Sequence, residues 1–138
     1  MGLILDTSIV IAAERNGLSV RVFLEECNAL YGENEIGLSV VTIAELVHGA
    51  YRSKEEDRKQ RRLAFVDRLC WDVPVYPITL DIAHTAGRIE GQQASLGFTL
   101  AFEDLAIGVT ALQLGYDVAT LNDKDFIRIP GLRIVKSE

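Results

Sequence analysis

Cysteine occurs twice in this chain, histidine twice and proline three times, and aromatic residues make up 7%. Cys27 and Cys70 stand alone within separate helical patterns, so no disulfide framework or paired-thiol metal site is encoded. Both are expected to be reduced, packed thiols. His48 and His84 lie on separate predicted helices, which tells against a histidine pair sharing acid–base work. No apolar run approaches the ~18 residues of a membrane span. No basic segment precedes the apolar N-terminal stretch, so Met1–Asp6 reads as a buried strand rather than a leader, and a cytoplasmic location is expected. The absence of Gly-x-Gly-x-x-Gly after that stretch tells against a dinucleotide-binding turn. Positive charge is in deficit: 14 Lys and Arg against 20 Asp and Glu give a net charge of −6. That tells against a nonspecific polyanion binder, unless several acids share a cation site, where bound metal reverses the local sign.

What remains is an ordinary globular composition, 49% hydrophobic and 25% charged, over 138 residues read as a single domain, 1–138. Gly2-Leu3-Ile4-Leu5-Asp6 is a continuous apolar run stopped by an acid, as in a buried parallel strand. Thr7 to Arg15 switches to a helical pattern closed by Asn16-Gly17. A helix is expected over Leu18–Leu30, a strand over Glu35–Ser39, and helices over Val41–Arg52 and Lys54–Trp71. Val73–Ile78 holds two prolines and reads as an edge strand or extended segment. Thr79–Leu96 is helical, with Gly97 closing it, and Phe102–Leu114 is an almost wholly apolar helix ended by Gly115. Val118–Leu121 and Leu132–Val135 are the remaining strands. Strands alternating with helices predict an α/β fold: a parallel sheet covered on both faces.

Four places put a carboxylate where packing alone explains it incompletely. Asp6 ends the first strand, Glu45 lies early in the helix after the second, Asp104 opens the apolar helix, and Asp123 and Asp125 follow the strand ending near Leu121. In an open α/β sheet, ligands bind beyond the carboxyl ends of the strands. Singly, each acid has a structural explanation. Asp6 suits an N-cap, Glu45 stands at capping-box spacing from Thr42, Asp104 suits a helix dipole, and Asp123 or Asp125 suits the cap of a short turn. Together they converge from apolar surroundings, where carboxylates repel and raise one another's pKa unless a cation compensates. An all-oxygen set without histidine or cysteine matches Mg²⁺ or Mn²⁺ better than zinc, and such sites serve phosphodiester hydrolysis.

The motifs themselves resemble a known family. Leu3-Ile4-Leu5-Asp6-Thr7-Ser8 resembles the opening of PIN-domain proteins. Leu38-Ser39-Val40-Val41-Thr42-Ile43-Ala44-Glu45-Leu46, continuing to Gly49-Ala50, is similar to the glutamate-bearing segment of VapC toxins. Glu103-Asp104-Leu105-Ala106-Ile107-Gly108 resembles the helix with the central aspartate, and Thr120-Leu121-Asn122-Asp123-Lys124-Asp125-Phe126 the closing motif. The likeness runs in order from Leu3 to about Val135. One stretch departs from it: Gly97-Phe98-Thr99-Leu100-Ala101 stands where many relatives carry a Gly-x-Pro-Ile-Gly-like loop.

The resemblance implies a PIN-like three-layer α/β/α sandwich with a mostly parallel central sheet. It also implies Mg²⁺-dependent hydrolysis of tRNA or ribosomal RNA, a VapB-like antitoxin partner and a homodimer. It carries the metal-ligand and catalytic roles onto Asp6, Asp104, Glu45, and Asp125 or Asp123, with Thr120 and Asn122 in support. Helices Val41–Arg52 and Lys54–Trp71 would wall the antitoxin groove, with Val47, Tyr51, Leu63, Phe65, Val66 and Leu69 as its apolar surface or as core. Arg52, Lys54, Arg58, Lys59, Arg61, Arg62 and Arg68 read either as a phosphate-steering patch or as a solvated face, since Glu55, Glu56, Asp57 and Asp67 interleave with them. Tyr51 and Trp71 flank this run and read either as base-stacking side chains or, for Trp71 by preference, as core packing. Two other readings stand beside the nuclease: a PIN-fold scaffold without catalysis, and a phosphotransferase using Asp6 as nucleophile, although Ser8 occupies the place where such enzymes want a second aspartate.

Overall fold

Every residue of Gly2–Leu5 is buried, as befits a strand covered on both faces, and this strand, β1, is the middle of the sheet. The computed structural model describes residues 1–136. After β1 come α1 (Thr7–Arg15), α2 (Val20–Tyr31), β2 (Glu35–Ser39), α3 (Val40–Arg52), α4 (Glu56–Asp72), β3 (Val75–Tyr76), α5 (Leu80–Ser95), α6 (Phe102–Leu114), β4 (Asp117–Ala119), a 3-10 turn over Phe126–Arg128, and β5 (Ile134–Val135). The strand order is β3-β2-β1-β4-β5, and every pairing is parallel.

The pleat of β1 explains the three layers. Leu3 and Leu5 point into one apolar cluster with Val10, Phe23, Leu46 and Leu69 from α1 to α4, while Ile4 points into the other with Ile82, Ile89, Leu105 and Ile107 from α5 and α6. β4 repeats the split, with Ala119 on the first face and Val118 on the second. The chain winds outward from β1 through β2 to β3, then returns to lay β4 on the other side. Its direction of winding therefore reverses between β1 and β4, and a crevice opens beyond their carboxyl ends.

Local chemistry sets the helix ends. Ser19 and Thr79 accept from the amides of Val22 and Ile82 and cap α2 and α5. α6 buries Leu105 through Ala111 without interruption, so it is a core helix rather than an amphipathic one. Gly108 lets the segment after β4 lie against it, since a Cβ there would collide with Ile129 Cδ1. Phe126, wholly buried, locks that segment from the other side. Phe126→Ala is expected to cost about 3–5 kcal/mol, as for other large-to-small core substitutions. Urea-induced unfolding is the check, and a loss under about 1 kcal/mol, close to the range of surface substitutions, would mean that Phe126 does not anchor this loop.

Several expectations shift. The strand placed at Val118–Leu121 is Asp117–Ala119, because the Thr120 hydroxyl turns into the crevice instead of continuing the pleat. Trp71, expected to pack in the core, is 87% exposed: α4 buries Phe65, Val66 and Leu69, and Trp71 lies about 200° around the helix from Leu69. Cys70 is likewise exposed, whereas Cys27 is packed as expected. Of the apolar residues offered for a groove, Phe65, Val66 and Leu69 are core, Val47 and Leu63 half-buried, and Tyr51 exposed. Among the described residues, no helix is long and apolar enough to cross a membrane.

Candidate active site

Asp6 leaves β1 at the reversal point, and its amide donates to Ala119 O at 2.8 Å, keeping it beside β4. It occupies the N-cap position of α1 without capping it. Its Oδ2 instead accepts from Thr120 Oγ1 and Ser8 Oγ, both at 2.7 Å. Thr120 has one hydroxyl proton and two acceptors in reach, Asp6 Oδ2 and Asn122 O at 3.0 Å; the carboxylate, charged and closer, takes it. Ser8 Oγ in turn accepts from Leu121 N at 3.2 Å, so its own proton is free for Asp6. Asp6 is thus a buried carboxylate held by hydroxyls from both sides of the crevice.

Glu45 is not part of a capping box. Helix α3 starts at Val40 with Ser39 as its cap, which puts Thr42 inside the helix and buries it. Thr7 Oγ1 donates to Glu45 Oε1 at 2.7 Å, and Thr42 Oγ1 lies 2.9 Å from Thr7 Oγ1. Since Thr7's single proton goes to the carboxylate, Thr42 is the donor to Thr7. This relay fixes Glu45 against the start of α1. Burial pushes the Glu45 carboxyl above its ordinary range, partly offset by the Thr7 bond and reinforced by the charges of Glu103 and Asp6.

Asp104 sits in the first turn of α6, where the dipole alone would favour its anion. Its carboxyl is nevertheless pushed up to about 7, by burial first, then by its hydrogen bond with Asp125 and the charges of Asp6, Asp125 and Glu45. Asp125 also accepts from the amide of Ala101, the residue preceding α6, at 3.0 Å, so it ties the loop after β4 to the start of that helix. Asp123 does something else: its Oδ2 pairs with Lys136 Nζ at 3.2 Å. Among the described residues, the Asn122 side chain bonds only the Lys124 amide, at 3.4 Å, and Asn122 reaches Asp6 through its backbone contact with Thr120. Asp6, Glu45, Asp104 and Asp125 therefore interact electrostatically, and Asp123 is drawn toward the sheet edge.

The supporting hydroxyls of Thr7, Ser8 and Thr42, and the nearby acid Glu103, were not singled out as functional from sequence. Thr7 and Ser8 directly follow Asp6, which was the available signal; Thr42 was visible only as a cap. Among the described residues, no three His, Cys, Asp or Glu side chains are arranged closely enough to hold a metal ion as they stand. The cluster offers hard oxygen donors of the type Mg²⁺ and Mn²⁺ take, in surroundings short of positive charge. His48 and His84 are both exposed, on α3 and α5, so they form no acid–base pair. Of the seven cations in the basic run, four are paired: Arg58 with Glu55, Lys59 with Glu56, Arg68 with Asp72, and Arg62 with Glu14 at 2.6 Å.

A family profile described as PIN domain matches residues 3–132. The chain is 34% identical over 135 residues to Ribonuclease VapC1 of Rickettsia felis, covering 98% of this chain and 96% of that protein. It is 31% identical, over the same shares, to Ribonuclease VapC of Rickettsia bellii. Among solved structures, DNA-bound VapBC from Salmonella typhimurium superposes with a TM-score of 0.79 at 28% identity, over 99% of this chain and 98% of that one. VapBC-1 from nontypeable Haemophilus influenzae gives the same TM-score and shares at 26% identity. With a profile match over residues 3–132 and relatives above 30% identity along nearly the whole chain, the chain belongs to the PIN-domain family and, within it, to the VapC ribonucleases.

Proposed function

We propose that this protein is a divalent-cation-dependent endoribonuclease, the toxin of a toxin–antitoxin pair, in which Asp6, Glu45, Asp104 and Asp125 hold the cation. The observation that carries the reading is the Asp104 carboxyl, pushed up to about 7 by burial and by neighbouring acids. Carboxylates concentrated in this way, without an arginine or lysine among them, suit a bound cation. The donors are all oxygen, which fits Mg²⁺ or Mn²⁺ and not zinc. When bound, such an ion lowers the pKa of a water and neutralises charge on the phosphate under attack.

The chain's own residues supply position and protonation state. Thr120 and Ser8 occupy Oδ2 of Asp6, and among the described residues Oδ1 accepts no hydrogen bond. Thr7 occupies Oε1 of Glu45 in the same way. Each acid is thereby fixed by one oxygen and keeps the other for a ligand, an arrangement that limits the reorganisation needed on binding. Asp123, paired with Lys136, is assigned a structural role. A phosphotransferase is disfavoured, since an Asp6 nucleophile would be both buried and engaged by two hydroxyls.

The substrate is RNA, with tRNA or ribosomal RNA expected, and the partners are a cognate antitoxin and a second copy of the chain. Support for the first two comes from relatives named ribonucleases and from solved VapBC complexes. Val47, Leu63 and Tyr51 are the side chains near α3 and α4 still open to an apolar partner helix.

The test is purified, antitoxin-free protein incubated with total RNA and Mg²⁺, beside EDTA and Asp6→Asn controls. Discrete cuts with 5′-phosphate and 3′-hydroxyl ends, lost in both controls, are expected. Products ending in 2′,3′-cyclic phosphate would show the 2′-hydroxyl to be the nucleophile and defeat the mechanism. RNA left intact by protein that binds the cation would favour a scaffold.

A further inference from the structure

Helix α1 begins beside the carboxylates, α3 passes them in its second turn, and both end at a second, chemically opposite place. Thr7, the first residue of α1, bonds Glu45, the sixth of α3. Near their ends, Glu14 of α1 bonds Arg62 at 2.6 Å, and the guanidinium of Arg62 fills the space beneath Gly49 of α3, where a Cβ would sit 2.6 Å from it. Between these points each helix advances seven residues, Thr7 to Glu14 and Glu45 to Arg52, which is about 10 Å along a single face. The seam opens there into a groove of about 1340 Å³ between the α1–α2 turn and the α3–α4 end.

The lining of this groove inverts the charge of the chain. It holds seven cationic side chains and two acidic ones, in a protein whose net charge is −6. Arg58, Arg62 and Arg68 are neutralised by ion pairs. Arg15, Arg52, Lys54 and Arg61 are exposed and in no ion pair among the described residues. Arg15 and Arg52 sit in the last turns of α1 and α3, where the helix dipole favours a cation. That account does not reach Lys54, in the α3–α4 connection, or Arg61, in the second turn of α4. The half-buried Arg62–Glu14 pair instead braces the floor, and the unpaired cations rim it.

We propose that this groove is a phosphate-binding track, carrying the backbone of the single-stranded RNA flanking the bond that is cut. The proposal rests on the ribonuclease reading for its ligand. It answers a problem that reading creates: a cluster of acids repels a polyanion, and a cationic track some 10 Å away along the same helix faces recruits the strand and leaves only the scissile phosphate to be received at the carboxylates. Unpaired cations spaced around an open groove suit a flexible strand read through its phosphates rather than its bases.

The experiment uses the Asp104→Asn protein in Mg²⁺ with a fluorescein-labelled 20-nucleotide single-stranded RNA of mixed sequence, and compares it with the same protein carrying Arg52→Gln, Lys54→Gln and Arg61→Gln. All three positions are exposed, so thermal melting is expected to be unchanged. Affinity should fall about tenfold at moderate salt, and the slope of log K against log salt should flatten by about 2, some 0.7 for each lost phosphate contact. In the wild-type background the triple substitution should raise KM for RNA and leave kcat. An unchanged salt slope overturns the proposal. So does selective loss of binding to a polyglutamate chain of matched length, which would assign the groove to an acidic protein segment. Failure of the wild-type protein to cut RNA at all would instead count against the ribonuclease reading, while the binding slope still reports on the track.

Discussion

Asp104→Asn is expected to abolish cation-dependent cleavage while making the cation-free protein more stable at pH 8. The Asp104 carboxyl titrates ordinarily at 3.8 and in the folded chain at about 7. Between those values the folded protein retains a proton that the unfolded chain has released, so stability falls as pH rises through that window and the loss is complete above about 7. The raised Glu45 carboxyl contributes with the same sign. Asparagine carries no charge at any of these pH values, so the variant should show a flatter stability profile between about pH 4 and pH 8, roughly the window spanned by the two pKa values. Adding Mg²⁺ at pH 8 should stabilise the wild type, by about 2.7 kcal/mol at a hundredfold excess over Kd, and the variant much less. Loss of the acid also removes several kcal/mol of transition-state charge stabilisation, so cleavage should drop at least about a hundredfold. Thermal melts across pH, with and without Mg²⁺, combined with RNA cleavage provide the check. A variant no more stable than wild type at pH 8 would show that the carboxylates do not strain the fold.

Asp125→Ala and Asp123→Ala should differ sharply although the two acids are adjacent in the same motif. Asp125 bonds Asp104 and accepts from the Ala101 amide, so its removal loosens the start of α6 as well as the acid cluster. A stability loss of about 1 kcal/mol, as for a helix cap, and a fall in cleavage of about a hundredfold are expected. Asp123 loses only a solvent-screened pair with Lys136, worth roughly 0–1 kcal/mol, and cleavage should stay within about threefold of wild type. Single-turnover cleavage of one RNA by both variants decides between them. Equal damage from Asp123→Ala would move the fourth ligand to that residue.

The limits of sequence reading show in particular residues. Periodicity and stop signals located α1, β2 and α6 at their observed bounds, because each is long or strongly apolar and ends at an unambiguous residue. Val73–Ile78 read as an edge strand or extended segment and Leu132–Val135 as a strand, but their two-residue extents, Val75–Tyr76 and Ile134–Val135, are settled by pairing with neighbours in space. Trp71 was misplaced because an apolar side chain was assumed to face inward, whereas the buried arc of α4 was already filled by Phe65, Val66 and Leu69. Arg62 was counted with a basic surface run, and no local pattern tells that it reaches 48 residues back to Glu14. Thr42 looked like a cap because its spacing to Glu45 is the same in a capping box and in the Thr42–Thr7–Glu45 relay.

The sequence by itself determined the alternation of strands and helices, the apolar surroundings of Asp6 and Asp104, and the oxygen-only chemistry of the acids, because composition and period are local properties. Tertiary structure alone decided which acids interact. The reversal of winding between β1 and β4 lays Thr120 against Asp6 and directs Asp125 to Asp104, while Lys136 draws Asp123 aside. It also decided that the cations of α1, α3 and α4 share one groove, since only the packing of helices distant in sequence brings Arg15 near Arg61.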